Sequence, residues 1–313
     1  MKKEKEMKAK KKKFFNKQLL FYCCVLALPI LQFCIFYLYV NFNSFVLAVT
    51  EYDMLTGEKT FVGLQNFREC WELFFGEEGR GGMWIRLKNS LVAYGCTLLV
   101  GTGGALLFSY YIYKKQAMSG LFKVILFLPS VVPGVVLSSI YKIVLETGVL
   151  DLYNAVASEQ ITSIINNVDK TFSVVLFYGL FMGFGTQVLM YLGAMNKINP
   201  SITEAATLDG VSFIREFFSI TLPCIYSTVA TFIVVGLTGI FTSELGLYNL
   251  FATNAPGNAQ TLGYYLYRET QTNATNQAKW PLIATIGVFF TVIVAPITIG
   301  LKFFMDSKDP IHA

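Results

Sequence analysis

Three groups of residues in this 313-residue chain combine side-chain type and spacing that could do chemistry. The densest is the run from Asn199 to Pro223, where Glu204 and Asp209 bracket a small-residue segment and Gly210 follows directly. The second group is polar side chains inside otherwise apolar stretches: Thr186, Gln187 and Tyr191, then Thr238, Thr242, Ser243 and Glu244. Hydroxyl, amide and carboxylate groups in apolar surroundings suit a polar ligand. The alternative is helix packing by small polar residues, with Glu244 solvated near a helix end. The third is Lys142 and Glu146, whose spacing predicts a local ion pair on one helix. Enzymatic chemistry has little material. The single histidine, His312, is next to the last residue, and the six cysteines form neither a disulfide framework nor a paired CxxC site. A Ser-His-Asp triad or a His-based metal site has almost no material to work with. No G-x-x-x-x-G-K-[ST] phosphate loop occurs, and Glu77 and Glu78 in the Gly-rich stretch Gly76–Gly82 would repel phosphate.

The elements that must position these residues are membrane helices. Hydrophobic residues make up 54% of the chain and charged residues 14%, against about 25% charged in soluble domains. About 20 mostly apolar residues cross the hydrocarbon of a bilayer. Six stretches meet that length: Leu19–Val40, Leu87–Tyr113, Leu121–Leu145, Phe172–Met195, Cys224–Leu247 and Leu282–Phe304. Lysines from Lys2 to Lys17 precede the first stretch, a cytoplasmic flank rather than a nucleic-acid site. This first stretch is too long for a signal-peptide core and lacks a small-x-small cleavage site, so it is expected to be retained.

Six spans place both termini on one side, and the lysine-rich start makes that side the cytoplasm. The chain then divides into a basic tail (1–18), a first helix (19–40), an extracytoplasmic segment (41–86), a five-helix core (87–305) and a second cytoplasmic tail (306–313). Trp71 and Trp84 in the outer segment are either interface anchors or partner contacts. A second outer segment, Asn249 to Trp280, carries Tyr264, Tyr265 and Tyr267 on an expected short helix that would touch an extracellular partner. Pro129 and Pro133 predict a kink in the third stretch, either for packing or to line a pathway.

Residues 196–223 fall in a cytoplasmic loop. Asn199 suits a helix N-cap with Pro200 at the first helical position, although Ser201 and Glu204 also fit capping-box spacing. The helix runs to about Leu208. Asp209-Gly210 then turns, with Gly210 free to take a left-handed conformation. Ser212 can cap a second helix with Phe213, Ile214, Phe217 and Phe218 on one face, and Pro223 is expected to end it. The product is a helix–turn–helix elbow.

Glu204-Ala205-Ala206, Asp209-Gly210, Phe217, Ile220 and Leu222-Pro223 together resemble the EAA loop of binding-protein-dependent ABC importers. Asp before Gly and the closing Leu-Pro are similar to the carbohydrate-uptake branch, which includes the maltose and glycerol-phosphate permeases; Val211 stands where that branch usually has alanine. Phe61-Val62-Gly63-Leu64-Gln65-Asn66-Phe67 resembles the family's outer-loop motif, and the resemblance spans about residues 19–305. It implies an all-α membrane protein of six transmembrane helices with the type I importer permease fold. The elbow would supply a coupling helix that docks in a groove of a cytoplasmic ATPase, with Glu204 and Gly210 at the family's key positions. It further implies a second homologous permease chain, two ATPase subunits that hold ATP and Mg, and an extracytoplasmic solute-binding protein that delivers a sugar. This chain would carry no cofactor, and its remaining surface would meet membrane lipid. Thr238, Thr242, Ser243 and Glu244 lie in the region where the maltose permease subunit holds its sugar. Two rivals are a type I permease for another solute, such as a polyamine or phosphate ester, and a secondary transporter driven by an ion gradient. The latter class tends to show internal repeats and mid-membrane charges, neither of which is evident here.

Overall fold

The computed structural model describes residues 2–53, 57–76, 80–157 and 160–310, with side chains described from 17 onward except at 80 and 81. Glu77, Glu78 and His312 lie outside the described residues. Five helical stretches are long and apolar enough to cross a membrane: Leu19–Ala48, Gly82–Tyr113, Thr171–Met195, Tyr226–Phe251 and Gln277–Asp306. A bent pair, Ser119–Val131 and Gly134–Val156, makes a sixth if it counts as one span.

In chain order, α1 is Leu19–Ala48. Strands β1 (Thr50–Tyr52) and β2 (Lys59–Phe61) pair antiparallel, and α2 covers Gln65–Phe75. Then come α3 (Gly82–Tyr113), α4 (Ser119–Val131), α5 (Gly134–Val156) and α6 (Thr171–Met195). The elbow follows as α7 (Pro200–Leu208) and α8 (213–224). The chain closes with α9 (Tyr226–Thr242), α10 (Leu247–Phe251), α11 (Leu262–Thr272) and α12 (Trp280–Asp306).

Several expected boundaries move. The first helix does not stop at Val40 but continues to Ala48, so part of the outer segment 41–86 is helical. Asn66, in the Phe61–Phe67 motif, is buried and its amide donates to the Ala48 and Thr50 carbonyls at 3.1 and 2.8 Å. That motif therefore locks the hairpin onto the end of α1. The third expected span is two helices meeting at 106°. Pro133 is the cause: it lacks an N–H and forces Val132 before it into an extended conformation, ψ 137°. Carbonyls near such a corner need donors inside a bilayer. The Tyr178 hydroxyl donates to the Gly134 carbonyl at 3.2 Å. Pro129, by contrast, stays inside α4 and is buried.

The fifth expected span is also interrupted. α9 ends at Thr242, and residues 243–246 are unwound, with Leu245 at φ +53°. This second break packs on the first, since Ser138 of α5 donates to the Asn249 carbonyl of α10 at 3.1 Å. One buried cluster joins α3, α6, α8 and α9 through Ala105, Tyr110, Val188, Met195, Phe217 and Val229. A second lies around Tyr178, Leu247, Leu250 and Tyr264, and a third around Cys70, Phe74, Leu262 and Ile286. α4 crosses α6 so closely that a Cβ on Gly185 would sit 1.8 Å from the Leu126 carbonyl oxygen.

Candidate functional site: the elbow and the α9–α12 groove

The elbow starts as its local chemistry demands. Asn199 takes an extended conformation and its side-chain oxygen accepts from the Ser201 N–H at 3.1 Å, with Pro200 at the first helical position. Asn199, not Ser201, is thus the cap. α7 closes through Asp209 N–H to the Ala205 carbonyl and Val211 N–H to the Ala206 carbonyl, at 2.9 and 3.1 Å. Gly210 sits at φ +69°, the left-handed region that a side chain disfavours, and the space around it is open. Of the α7 residues only Ala206 is buried. Glu204, Ala205, Asp209 and Gly210 are exposed, and Leu208 is 89% exposed. A leucine left that bare on a short helix marks a face that none of the described residues covers.

α8 behaves differently. It contains a π-turn at Phe217–Thr221, and its helix runs through Leu222 and Pro223 to Cys224 before a turn at Ile225. Pro223 therefore precedes the break instead of ending the helix itself. Phe217 is buried, while Ile220, Leu222 and Pro223 are half-buried. The expected single apolar face is split: Ile214 and Phe218 stay exposed and border a cavity of about 470 Å³ with Leu107, Phe108, Tyr111 and Phe122. Glu216, which sequence reasoning passed over, is enclosed and paired with Lys114. The available signal was a carboxylate next to Phe217, on a helix whose apolar residues must pack against the bundle.

The polar intramembrane residues fall into separate places. Thr238 and Thr242 line a groove of about 520 Å³ between α9 and α12, with Phe241, Phe290, Thr291 and Thr298. Their hydroxyls donate to the Val235 and Thr238 carbonyls, at 2.7 and 3.1 Å. Ser243 and Glu244 lie in the break after α9. Glu244 accepts from the Tyr248 N–H at 3.3 Å and so caps α10. On α6, Thr186 is exposed, whereas the Gln187 side-chain oxygen is buried beside Gly101 of α3. Tyr191 is fully buried, edge-on to Phe232 with ring centroids 5.2 Å apart. Among the described residues no hydrogen bond joins the α6 group to the α9 group, and Tyr191 is a packing residue in this conformation.

Two further expectations are corrected. Lys142 and Glu146 do not pair. A π-turn at Val144–Val149 changes the helical spacing; Glu146 accepts from the Ser163 hydroxyl and the Ile164 and Ile165 N–H groups, while Lys142 lies over the Phe251 ring. Of the three tyrosines on α11, Tyr264 is buried; it donates to the Ala252 carbonyl and accepts from the Ala255 N–H, and burial raises its phenol above the usual tyrosine range. Tyr265 is covered by the Arg86 guanidinium, 4.6 Å from its ring centre. Only Tyr267 of the three is exposed. No group of three or more potential metal ligands occurs among the described residues.

The family described as "binding-protein-dependent transport system inner membrane component" matches residues 99–310. Relatives from Bacillus subtilis (strain 168) include the probable ABC transporter permease protein YurN, 27% identical over 90% of this chain and 95% of its own length. The arabinooligosaccharides transport system permease protein AraP is 25% identical over 87% of this chain and 85% of its own. A solved chain from a bacterial ABC transporter involved in the import of the acidic polysaccharide alginate has the same fold. It matches with a TM-score of 0.72 at 19% identity, over 94% of this chain and 98% of that one.

Proposed function

Because the chain belongs to the family of binding-protein-dependent transport system inner membrane components, we propose that it is the membrane half of an ATP-driven importer for a sugar or oligosaccharide, and that α7 is its coupling helix. The observation that carries this reading is the bare face of α7. A capped, correctly terminated helix presents Glu204, Ala205, Leu208 and Asp209 outward, with no cover from the other described residues. That is the form expected of a knob that fills a groove in another subunit, here a cytoplasmic ATPase.

The chain has no phosphate loop of its own, so ATP and Mg belong on two partner ATPases. A second, homologous permease completes the channel, and an extracytoplasmic solute-binding protein presents the solute. The sugar class is supported by the relative that transports arabinooligosaccharides and by the fold shared with an alginate importer. Within this chain the groove bordered by Thr238 and Thr242, with Phe241 and Phe290 beside them, offers hydroxyls on an aromatic wall. With the lysine-rich start in the cytoplasm, both termini and the elbow share that side.

The test is uptake in proteoliposomes that contain the whole complex. Solute-loaded binding protein and ATP should drive accumulation, and a panel of oligosaccharides bound to that protein should identify the cargo. Gly210→Val should abolish uptake and release the ATPase on purification. Unchanged uptake with the ATPase still bound would remove the elbow as the coupling element. Delivery of a polyamine or phosphate ester instead would keep the importer and replace the sugar.

A further inference from the structure

The two halves of the elbow are held very differently. α7 touches little, but α8 is fastened to the end of α3. Glu216 lies between Phe213 and Phe217 with its side chain 5% exposed. The Lys114 ammonium, itself 22% exposed, donates to both carboxylate oxygens at 2.8 and 2.9 Å. One turn earlier on α3, the Tyr110 hydroxyl donates to the Phe213 carbonyl at 3.1 Å, and its ring centre lies 4.6 and 4.9 Å from those of Phe213 and Phe217. The ring contacts and the Tyr110–Phe213 hydrogen bond hold the two helices together. The buried carboxylate adds a stricter constraint, because any shift that separates it from the Lys114 ammonium leaves a charge without solvent or a balancing cation.

α3 is held at its far end as well. Asn89 donates to the Asn258 and Gln260 carbonyls at 2.7 and 3.0 Å. Ser90 accepts from the Leu262 N–H at 3.0 Å, and Arg86 donates to the Gln260 side chain at 2.9 Å. At 32 residues, α3 is about 48 Å long. A single helix thus has one end clamped to the elbow and the other to the outer segment that leads into α11.

We propose that the Lys114–Glu216 pair is the positioning contact that makes α3 follow the elbow, so that a push on α7 reaches the outer segment at residues 258–262. The proposal rests on α7 being the coupling helix. Aromatic packing supplies adhesion between α8 and α3; the ion pair supplies the register. Without it the elbow rocks against α3, the ATPases still close, and the outer end receives less of the motion.

The experiment uses the full complex with its ATPases and binding protein in proteoliposomes, and reads the ATP hydrolysed per solute imported. Lys114→Met combined with Glu216→Met removes both charges and keeps the bulk. The ratio should rise about tenfold, within the range of effects from residues between two coupled sites. Lys114→Arg alone, which keeps the charge and donors, should stay within about twofold of wild type. An unchanged ratio in the double variant, or an equal fall in hydrolysis and uptake, would show that the pair only supports the structure and would overturn the proposal. If the double variant does not assemble, Glu216→Gln decides by the same ratio: a rise of about threefold supports the proposal and no rise overturns it. Gly210→Val, run in parallel, separates the two readings. If it leaves the ATPase bound and uptake intact, the coupling assignment of α7 has failed. If it releases the ATPase while the double variant keeps a normal ratio, only the role of the pair has failed.

Discussion

At one end of the bundle the elbow leaves Leu208 bare and the space around Gly210 empty, while at the other end Gln260, Thr261, Leu262 and Tyr264 are enclosed. The outer end also carries hydrogen bonds from two helices onto one short segment, through Asn89 and Ser90 of α3 and Tyr264 of α11. The difference is one of completeness. The outer segment around residues 255–262 is tied down by hydrogen bonds and can present a preformed surface. The α7 half of the elbow satisfies its helix caps but leaves its outward face exposed. Substitutions should therefore cost stability at the closed end and inside the bundle, and cost function at the open end.

The sharpest contrast pairs two glycines. Gly185→Val should prevent accumulation in the membrane, since its Cβ alone would meet the Leu126 carbonyl oxygen at 1.8 Å and overpacking against backbone costs about 3 kcal/mol or more. Gly210→Val meets no neighbour and costs only about 1–2 kcal/mol of left-handed strain. The protein should reach the membrane in normal amount, yet uptake should be lost because the elbow tilts. Equal abundance of the two variants by immunoblot would break the comparison.

Glu204→Lys comes next. Glu204 is exposed, so stability should change by no more than about 0.5 kcal/mol. ATPase retention during purification should fall, and lowering ionic strength should alter it, as for a charge at a rim. Retention indifferent to both charge and salt would show that Glu204 lies outside the contact. At the closed end, Gln260→Leu strips partners from the Arg86 guanidinium and the Ala255 carbonyl. A loss of about 1–3 kcal/mol is expected, read as a lower melting temperature in detergent. The smallest effect is a lack of reaction. Burial pushes the Cys70 thiol up to about 12, so at pH 8 it stays protonated and closed off. Maleimide should label it only after unfolding; labelling of the native protein would show that the third cluster opens.

Much of the elbow was legible because its determinants are neighbours in the chain. Asn199, Pro200 and Gly210 each act through their own backbone geometry, and the structure places all three as that chemistry requires. The polar groups in the spans were harder to read. Thr238 and Thr242 share a groove, but Tyr191 is core, and no periodicity distinguishes a buried phenol packed on Phe232 from one that faces a pathway. Glu146 shows why spacing can mislead: one π-turn redirected it from Lys142 to the backbone of residues 164 and 165.

By itself the sequence determined where apolar stretches are long enough to cross a bilayer, that Pro129 and Pro133 bend the third stretch, and that the elbow is two short helices turning at Gly210. These depend on length, ring closure and the absence of a Cβ, all properties of residues in local order. Tertiary structure alone decided the 106° corner, the unwound segment at 243–246 and the pairing of Lys114 with Glu216, residues 102 apart. The reason is physical. In a bilayer each buried polar group must be satisfied by whichever helix lies beside it, and which helix that is depends on how the whole bundle packs.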